Sequence, residues 1–392
     1  MIEVNGRRYA TPRVRTAAVC LDGVDPAYID DALERGLLPR LRETIEGGLY
    51  AIGRGQLPSF TNPNNLSIVT GSPPATHGLP GNHYLAPDGR EVQLDDPEQL
   101  RAPSILAAFA DAGVAVLAVT TKDKLRRLLA KGGVPTVSVE RADELSAGGI
   151  EDLPRLVGRP APNIYDWDAS HYALELGFAL ADVLETELLY VSLTDAVQHL
   201  QGPGGDLADR YLGRLDELVG MYVDAGWRLG LVADHGMNSK PRIQFLEDVL
   251  RRSGLRSAHV VLPITDPYVV HHAALGSACW IHLAPEELET AVQAIEPLTG
   301  VEAVFSGDRA ATEFALPRDR IGDLFVLGDR DTAFGKTKSA HDLSTLRGPL
   351  RSHGGQHEQA VPILLSEPPG PAGQKLLRDG ATNADIYALV LE

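Results

Sequence analysis

Leu229-Gly230-Leu231-Val232-Ala233-Asp234-His235-Gly236-Met237 is the stretch on which the reading of this chain turns. A short apolar run is closed at once by a carboxylate, an imidazole and a glycine. Five more short apolar runs, each closed by a polar or acidic residue, lie at Thr16–Leu21, Ala115–Thr120, Leu188–Leu193, Leu324–Leu327 and Val361–Leu365. Helix-like stretches separate many of them, at Ala32–Gly47, Ala102–Gly113, Ser170–Glu187, Asp206–Gly226 and Phe245–Ser253. Strands alternating with helices predict an α/β fold, a mostly parallel central sheet with helices on both faces. In such a sheet ligands gather outside the carboxyl ends of the strands.

The residues that close the runs fit that expectation. The first run ends in Leu21-Asp22-Gly23, the Leu188 run in Thr194-Asp195, and the Ala115 run leads into Thr121-Lys122-Asp123-Lys124. One carboxylate after a strand is commonly a helix cap. Several at one rim, two of them coupled to histidines, point to a polar site. From Ser257 to Pro317 the pattern changes, with strands expected at Val269–His272, Cys279–Leu283 and Val301–Phe305 and a helix at Glu286–Ile295. This predicts a smaller α+β cap over residues 257–317, inserted in a core of 1–256 and 318–392 before the last two core strands.

Composition narrows the function classes. Of 392 residues 36 are Lys or Arg and 53 Asp or Glu, a net charge of −17 that repels polyphosphate backbones and argues against nucleic-acid binding. Two cysteines, Cys20 and Cys279, build no disulfide framework and suit a reducing compartment. The first twenty residues lack the apolar core of a signal peptide, and no run of about 18 apolar residues occurs. A cytoplasmic protein without a membrane partner is expected.

Three segments offer metal ligands. Asp195 and His199, four apart, share one face of a helical turn, although alone this spacing reads as a solvated helix face. Asp234 and His235 converge only where the strand gives way to a loop, and an N-capping Asp beside an incidental His is an equal alternative in isolation. In Ser352-His353-Gly354-Gly355-Gln356-His357-Glu358, two glycines allow close approach and put His357 forward as a ligand, with His353 nearer a supporting or substrate role. With Asp22 the set has equal numbers of carboxylates and imidazoles. Such N/O donors suit zinc best, with manganese or iron as alternatives, and six suit two ions about 3.5–4 Å apart. His271 and His272 read as packed or surface imidazoles of the cap.

Thr61 precedes a short helix with Pro63 near its first turn. Its hydroxyl then lies beside free backbone N–H groups that attract a phosphate or phosphonate anion. A plain capping threonine is the simpler reading without the metal ligands, and the two roles are compatible.

The segment Pro58-Ser59-Phe60-Thr61-Asn62-Pro63-Asn64-Asn65, followed by Val69-Thr70-Gly71 and His77-Gly78-Leu79-Pro80-Gly81-Asn82, resembles the nucleophile segment of the alkaline phosphatase superfamily, in its nucleotide pyrophosphatase/phosphodiesterase-like branch. Asp22-Gly23, Asp195 with His199, Asp234-His235-Gly236-Met237 and His353-Gly354-Gly355 with His357 fall in that superfamily's order. Gly81-Asn82-His83-Tyr84, Thr121-Lys122-Asp123-Lys124 and Asn163-Ile164-Tyr165-Asp166-Trp167-Asp168 are most similar to the branch's phosphonoacetate-hydrolysing enzymes. The resemblance spans nearly the whole chain and implies an alkaline-phosphatase-like fold with two zinc ions. Asp195, His199 and His357 would hold one ion, and Asp22, Thr61, Asp234 and His235 the other. It implies a small phosphonate substrate attacked by Thr61, with Asn82, Asn62 and His199 on the phosphonate side and Lys122 and Lys124 on the carboxylate. Hydrolysis of P–O bonds, as in a nucleotide pyrophosphatase or phosphodiesterase, is the alternative. A homodimer is a family-level expectation.

Overall fold

The computed structural model describes residues 1–391, Thr345 in its backbone only. Seven strands form the central sheet: β1 (Thr16–Cys20), β2 (Leu49–Arg54), β3 (Val116–Thr120), β4 (Thr136–Ser138), β5 (Leu188–Ser192), β6 (Arg228–Val232) and β7 (Ala360–Leu365). Their order across the sheet is β2-β7-β6-β1-β5-β3-β4. From β6 to β4 every pair is parallel, whereas β7 runs against both β6 and β2. Every residue of β1, β3 and β5 is buried. Covered on both faces, these strands read as continuous apolar runs rather than as alternating ones. The Ala169–Val183 helix lies against β3 and β5, and the Ile386–Val390 helix against β1 and β6. The expected α/β architecture is the one observed.

Register sets the site. Cys20 lies opposite Ser192 and Val232, and Thr120 opposite Ser192, so β1, β3, β5 and β6 end level with one another. The bonds Leu21 N to Val232 O, Leu193 N to Cys20 O and Thr121 N to Ser192 O, all 2.9–3.1 Å, carry that alignment one residue further. Asp22, Lys122, Asp195 and Asp234 therefore emerge at one rim.

Four expectations need correction. Leu324–Gly328 is not a core strand. It is an inner strand of a second, four-stranded sheet, antiparallel to Ala278–His282 on one side and Val301–Ser306 on the other, with His259–Val261 at the edge. That sheet has its own apolar core, in which Trp280 and Phe325 pack with ring centroids 4.3 Å apart. Leu246 and Leu250 join the same core from the preceding helix, so the smaller unit reaches beyond 257–317 at both ends. Val269–His272 is a helical turn, not a strand. The Ala32–Gly47 stretch is two helices, Pro26–Glu34 and Pro39–Gly47, broken where Gly36 takes φ +73°. Among the described residues no helix is long and apolar enough to cross a membrane.

Candidate metal centre

Three carboxylates meet at the rim. Asp22, Asp195 and Asp234 are at most 2% exposed. One ammonium touches two of them, with Lys122 Nζ 3.2 Å from Asp22 Oδ2 and 2.9 Å from Asp195 Oδ1. Burial, then repulsion from Asp195 and Asp234, pushes the Asp22 carboxyl well up. Burial likewise pushes Asp234 up to about 7, against N–H donation from Gly23. Asp195 is also penalised by burial, yet the Lys122 ammonium holds it well below the carboxylate range. Gly23, at φ +70°, lets the β1 loop close on this group, since a Cβ there would stand 3.0 Å from Asp195 Cβ.

The imidazoles show what the acids are arranged for. His199 Nδ1 faces the carbonyl of Arg351 at 2.7 Å, His353 Nδ1 that of Ser59 at 2.7 Å, and His235 Nδ1 that of Gly236 at 3.0 Å. A carbonyl only accepts, so in each ring Nδ1 carries the proton and Nε2 presents a lone pair. Those lone pairs point at acids. His199 Nε2 is 3.0 Å and His353 Nε2 3.7 Å from Asp195 Oδ2, and His235 Nε2 is 3.5 Å from oxygens of both Asp22 and Asp234. Among the described residues His199 Nε2 has no hydrogen-bond partner despite that proximity. Burial pushes both His235 and His353 down, so neither is held as a cation. Lone pairs opposed to carboxylates repel unless a cation lies between them, and anchoring of the far nitrogen is how metal-binding histidines are oriented. Asp22, Asp234 and His235 form one group of this kind, and Asp195, His235 and His353 an overlapping one. The cluster fits a binuclear metal site.

His357 is not part of it. Its side chain is 37% exposed and Nε2 pairs with Glu302 Oε2 at 2.9 Å, while His353 faces the acids. The glycine-rich loop explains the difference. Gly354 takes φ +121°, and a Cβ there would stand 2.5 Å from the Phe60 ring, so the backbone presses on the nucleophile segment at 353–354 and turns outward before 357. His199 sits where expected, one helical turn after Asp195, with His199 N bonded to Asp195 O at 3.0 Å.

Thr61 opens the Thr61–Thr70 helix after the extended Phe60. Its Oγ1 is 3.2 Å from His235 Nε2 and 3.5 Å from Asp22 Oδ1. Asn65, one turn on, has a role that sequence reasoning passed over. It donates to Thr61 O at 3.0 Å and Asp234 Oδ2 at 3.3 Å, and accepts from Tyr190 and Ser192 at 2.7 Å each. All its polar capacity fixes the nucleophile helix against Asp234 and β5.

Beside Thr61 is a chamber lined by Asn82, Lys122, Asp195, Asp266, His271 and His353 among others. Among the described residues Asn62 Nδ2, Asn82 Oδ1 and Lys124 Nζ are buried without partners. Asn82 Nδ2 donates to Ile264 O at 3.1 Å. Burial lowers Lys124 to about 8, with Asp266 the largest opposing charge. His271 and His272, expected as inert, are buried and line this chamber, with His271 Nδ1 3.7 Å from Asp195 Oδ1. An adjacent His-His pair in an apolar stretch carried no signal of this, because only tertiary contact brings the Val269–His272 turn beside Asp195.

Residues 16–356 match the model of the type I phosphodiesterase/nucleotide pyrophosphatase family. The chain belongs to that family. Within this family it is a homologue of phosphonoacetate hydrolase. The Sinorhizobium meliloti 1021 enzyme, solved in complex with phosphonoformate, is 38% identical over 100% of this chain and 98% of that one, with a TM-score of 0.91. The same enzyme in complex with phosphonoacetate gives 38% and 0.90. Murine ectonucleotide pyrophosphatase/phosphodiesterase 5 shares the type I phosphodiesterase fold at 17% identity over 96% of this chain and 93% of that one, with a TM-score of 0.64.

Proposed function

We propose that this chain is a two-zinc hydrolase that cleaves the C–P bond of phosphonoacetate to acetate and phosphate through a phosphothreonine at Thr61. The reading rests on the Thr61 hydroxyl standing 3.2 Å from His235 Nε2 within the buried carboxylate–imidazole cluster. The full-length 38% identity to an enzyme solved with phosphonoacetate supports that substrate. Asp22, Thr61, Asp234 and His235 would hold one ion and Asp195, His199 and His353 the other. Bound zinc supplies Lewis acidity, lowering the pKa of the threonine hydroxyl and neutralising phosphonate charge. Charge balance agrees with two ions. Three carboxylates against Lys122 leave two negative charges, and a phosphonate dianion adds two more.

The protein's own groups direct the rest. Thr61 Oγ1 gives up its proton to solvent and forms the O–P bond as the C–P bond breaks, and the electron pair leaves with the CH₂ carbon. Asn82 and the Asn62 N–H at the helix start would hold a phosphonyl oxygen. Lys124, with no partner for its Nζ, would bind the substrate carboxylate, over which the leaving pair delocalises as an enolate. Protonation at carbon yields acetate, and water then cleaves the phosphothreonine to phosphate and free Thr61. Phosphate release from phosphonoacetate, measured beside hydrolysis of a nitrophenyl phosphodiester, tests the proposal. Preferential turnover of phosphonoacetate supports it. The family match favours one rival, P–O hydrolysis, which preferential turnover of the diester would establish instead.

A further inference from the structure

Behind the acids and imidazoles lies an ion pair to which the mechanism gives no task. Lys240 and Glu358 are both fully buried, with Nζ 2.8 Å from Oε1. The same Oε1 accepts from Asn238 Nδ2 at 2.7 Å, Oε2 accepts from Gly355 N at 2.9 Å, and Lys240 Nζ also donates to Arg330 O at 2.8 Å. Every polar atom of the Glu358 side chain is thus used. Its main chain adds a fourth tie, Gly236 N donating to Glu358 O at 2.7 Å. Between these ties Asn238–Ser239 pairs with Arg351–Ser352 as a short antiparallel ladder.

The tied segments carry two of the three imidazoles. Asp234–Lys240 brings His235, and Arg351–Glu358 brings His353, with their rings stacked 3.7 Å apart at 10°. The second segment also grips the nucleophile's approach, since Ser59 N donates to Gly354 O at 3.2 Å and Ser59 Oγ to Gly355 O at 2.9 Å. Glu358 joins the first two of these segments: through Gly355 it sets the turn that carries His353, and through Lys240 and Asn238 it anchors that turn to the loop of His235. A buried ion pair contributes little net stability, because desolvation offsets its attraction, and its best-attested use is to fix register.

We infer that Glu358 and Lys240 are positioning residues that set His353 against Asp195 and His199, and so tune the affinity of that one divalent-cation site. The inference rests on the proposed two-ion site. It concerns mainly the ion at Asp195, His199 and His353, because the other ion keeps Asp22 and Asp234 at the ends of β1 and β6 and His235 beside the backbone bond of Gly236 N to Glu358 O, which survives a change of the Glu358 side chain.

Zinc titration of metal-stripped protein against a chromogenic chelator tests it, with apo-protein melting followed by circular dichroism in parallel. Wild type should bind two ions, and a wild type that binds fewer defeats the two-ion reading itself. In Glu358→Gln and Lys240→Met one ion should keep its affinity while the other weakens by about 10–100-fold, the usual cost of losing a group that orients a ligand. A single charged partner left buried can unfold the chain, so the double variant Lys240→Met/Glu358→Met is the second arm. It removes both charges together and should melt near wild type while still losing affinity at one ion. Two ions bound with wild-type affinity by the folded double variant would overturn the inference. Equal weakening of both ions would overturn it too, since that marks general loosening.

Discussion

Asp234→Asn should make the metal-free protein more stable, and only at high pH. Burial raises the Asp234 carboxyl from 3.8 to about 7. Between those values the folded chain binds a proton that the unfolded chain has released, so the stability linked to this group is intact below about pH 4 and lost as pH rises through 7. At about 1.4 kcal/mol per pH unit the loss is on the order of 4 kcal/mol by pH 8. Asparagine keeps the Oδ1 that accepts from Gly23 N and His235 N but turns an amide toward Asn65 Nδ2, which costs about 1 kcal/mol. The variant should therefore exceed wild type by roughly 3 kcal/mol at pH 8 in chelator. At pH 4 it should match wild type or fall about 1 kcal/mol below it. Comparing the two proteins at each pH cancels the buried histidines, whose own titration runs the other way. Urea melts followed by circular dichroism measure this. Saturating zinc should reverse the order at pH 8, because the carboxylate is then a ligand. A wild type more stable than the variant at pH 8 in chelator, or a difference equal at both pH values, would refute the picture of Asp234 as an uncompensated buried charge.

Thr61→Ala should lower phosphonoacetate turnover by about three orders of magnitude while zinc stays bound, read from phosphate release and metal content together. His353→Ala should abolish binding of one zinc ion in an equilibrium titration, whereas His357→Ala should leave both, since among the described residues the acid that His357 pairs with is the exposed Glu302. Lys124→Met should raise KM for phosphonoacetate about tenfold or more and lower kcat as well, because the carboxylate it binds gains charge as the enolate forms, and initial rates resolve both. In wild type the same KM should climb above pH 8, because burial sets the Lys124 ammonium to lose its proton near there.

The sequence exposed the sheet because each central strand is buried on both faces and ends in a polar residue. Asp22, Lys122, Asp195 and Asp234 were legible for the same reason, since strand ends at one level put them at one rim. Leu324–Leu327 was misplaced because an apolar run records burial and not which of two sheets does the burying. His353 and His357 were exchanged because they share one loop and differ only in tertiary partners. The carbonyl of Ser59 anchors His353, a contact between residues 294 apart in sequence, and nothing local announces it. Asn65 and the Lys240–Glu358 pair were invisible as roles because their meaning lies wholly in what they tie together. The β2 strand was missed at the sheet edge, where Leu49–Arg54 is half-buried and carries Gly53, so neither a continuous nor an alternating apolar pattern marks it.

The central claim is a pair of divalent cations sharing a pocket with the Thr61 hydroxyl, and anomalous diffraction at the zinc edge from zinc-soaked crystals addresses it most directly. Two peaks are predicted, one about 2.0–2.2 Å from Asp195, His199 and His353, the other as close to Asp22, Asp234, His235 and Thr61 Oγ1. A single peak, or one seated on His357 and Glu302 with the buried cluster empty, would contradict the account.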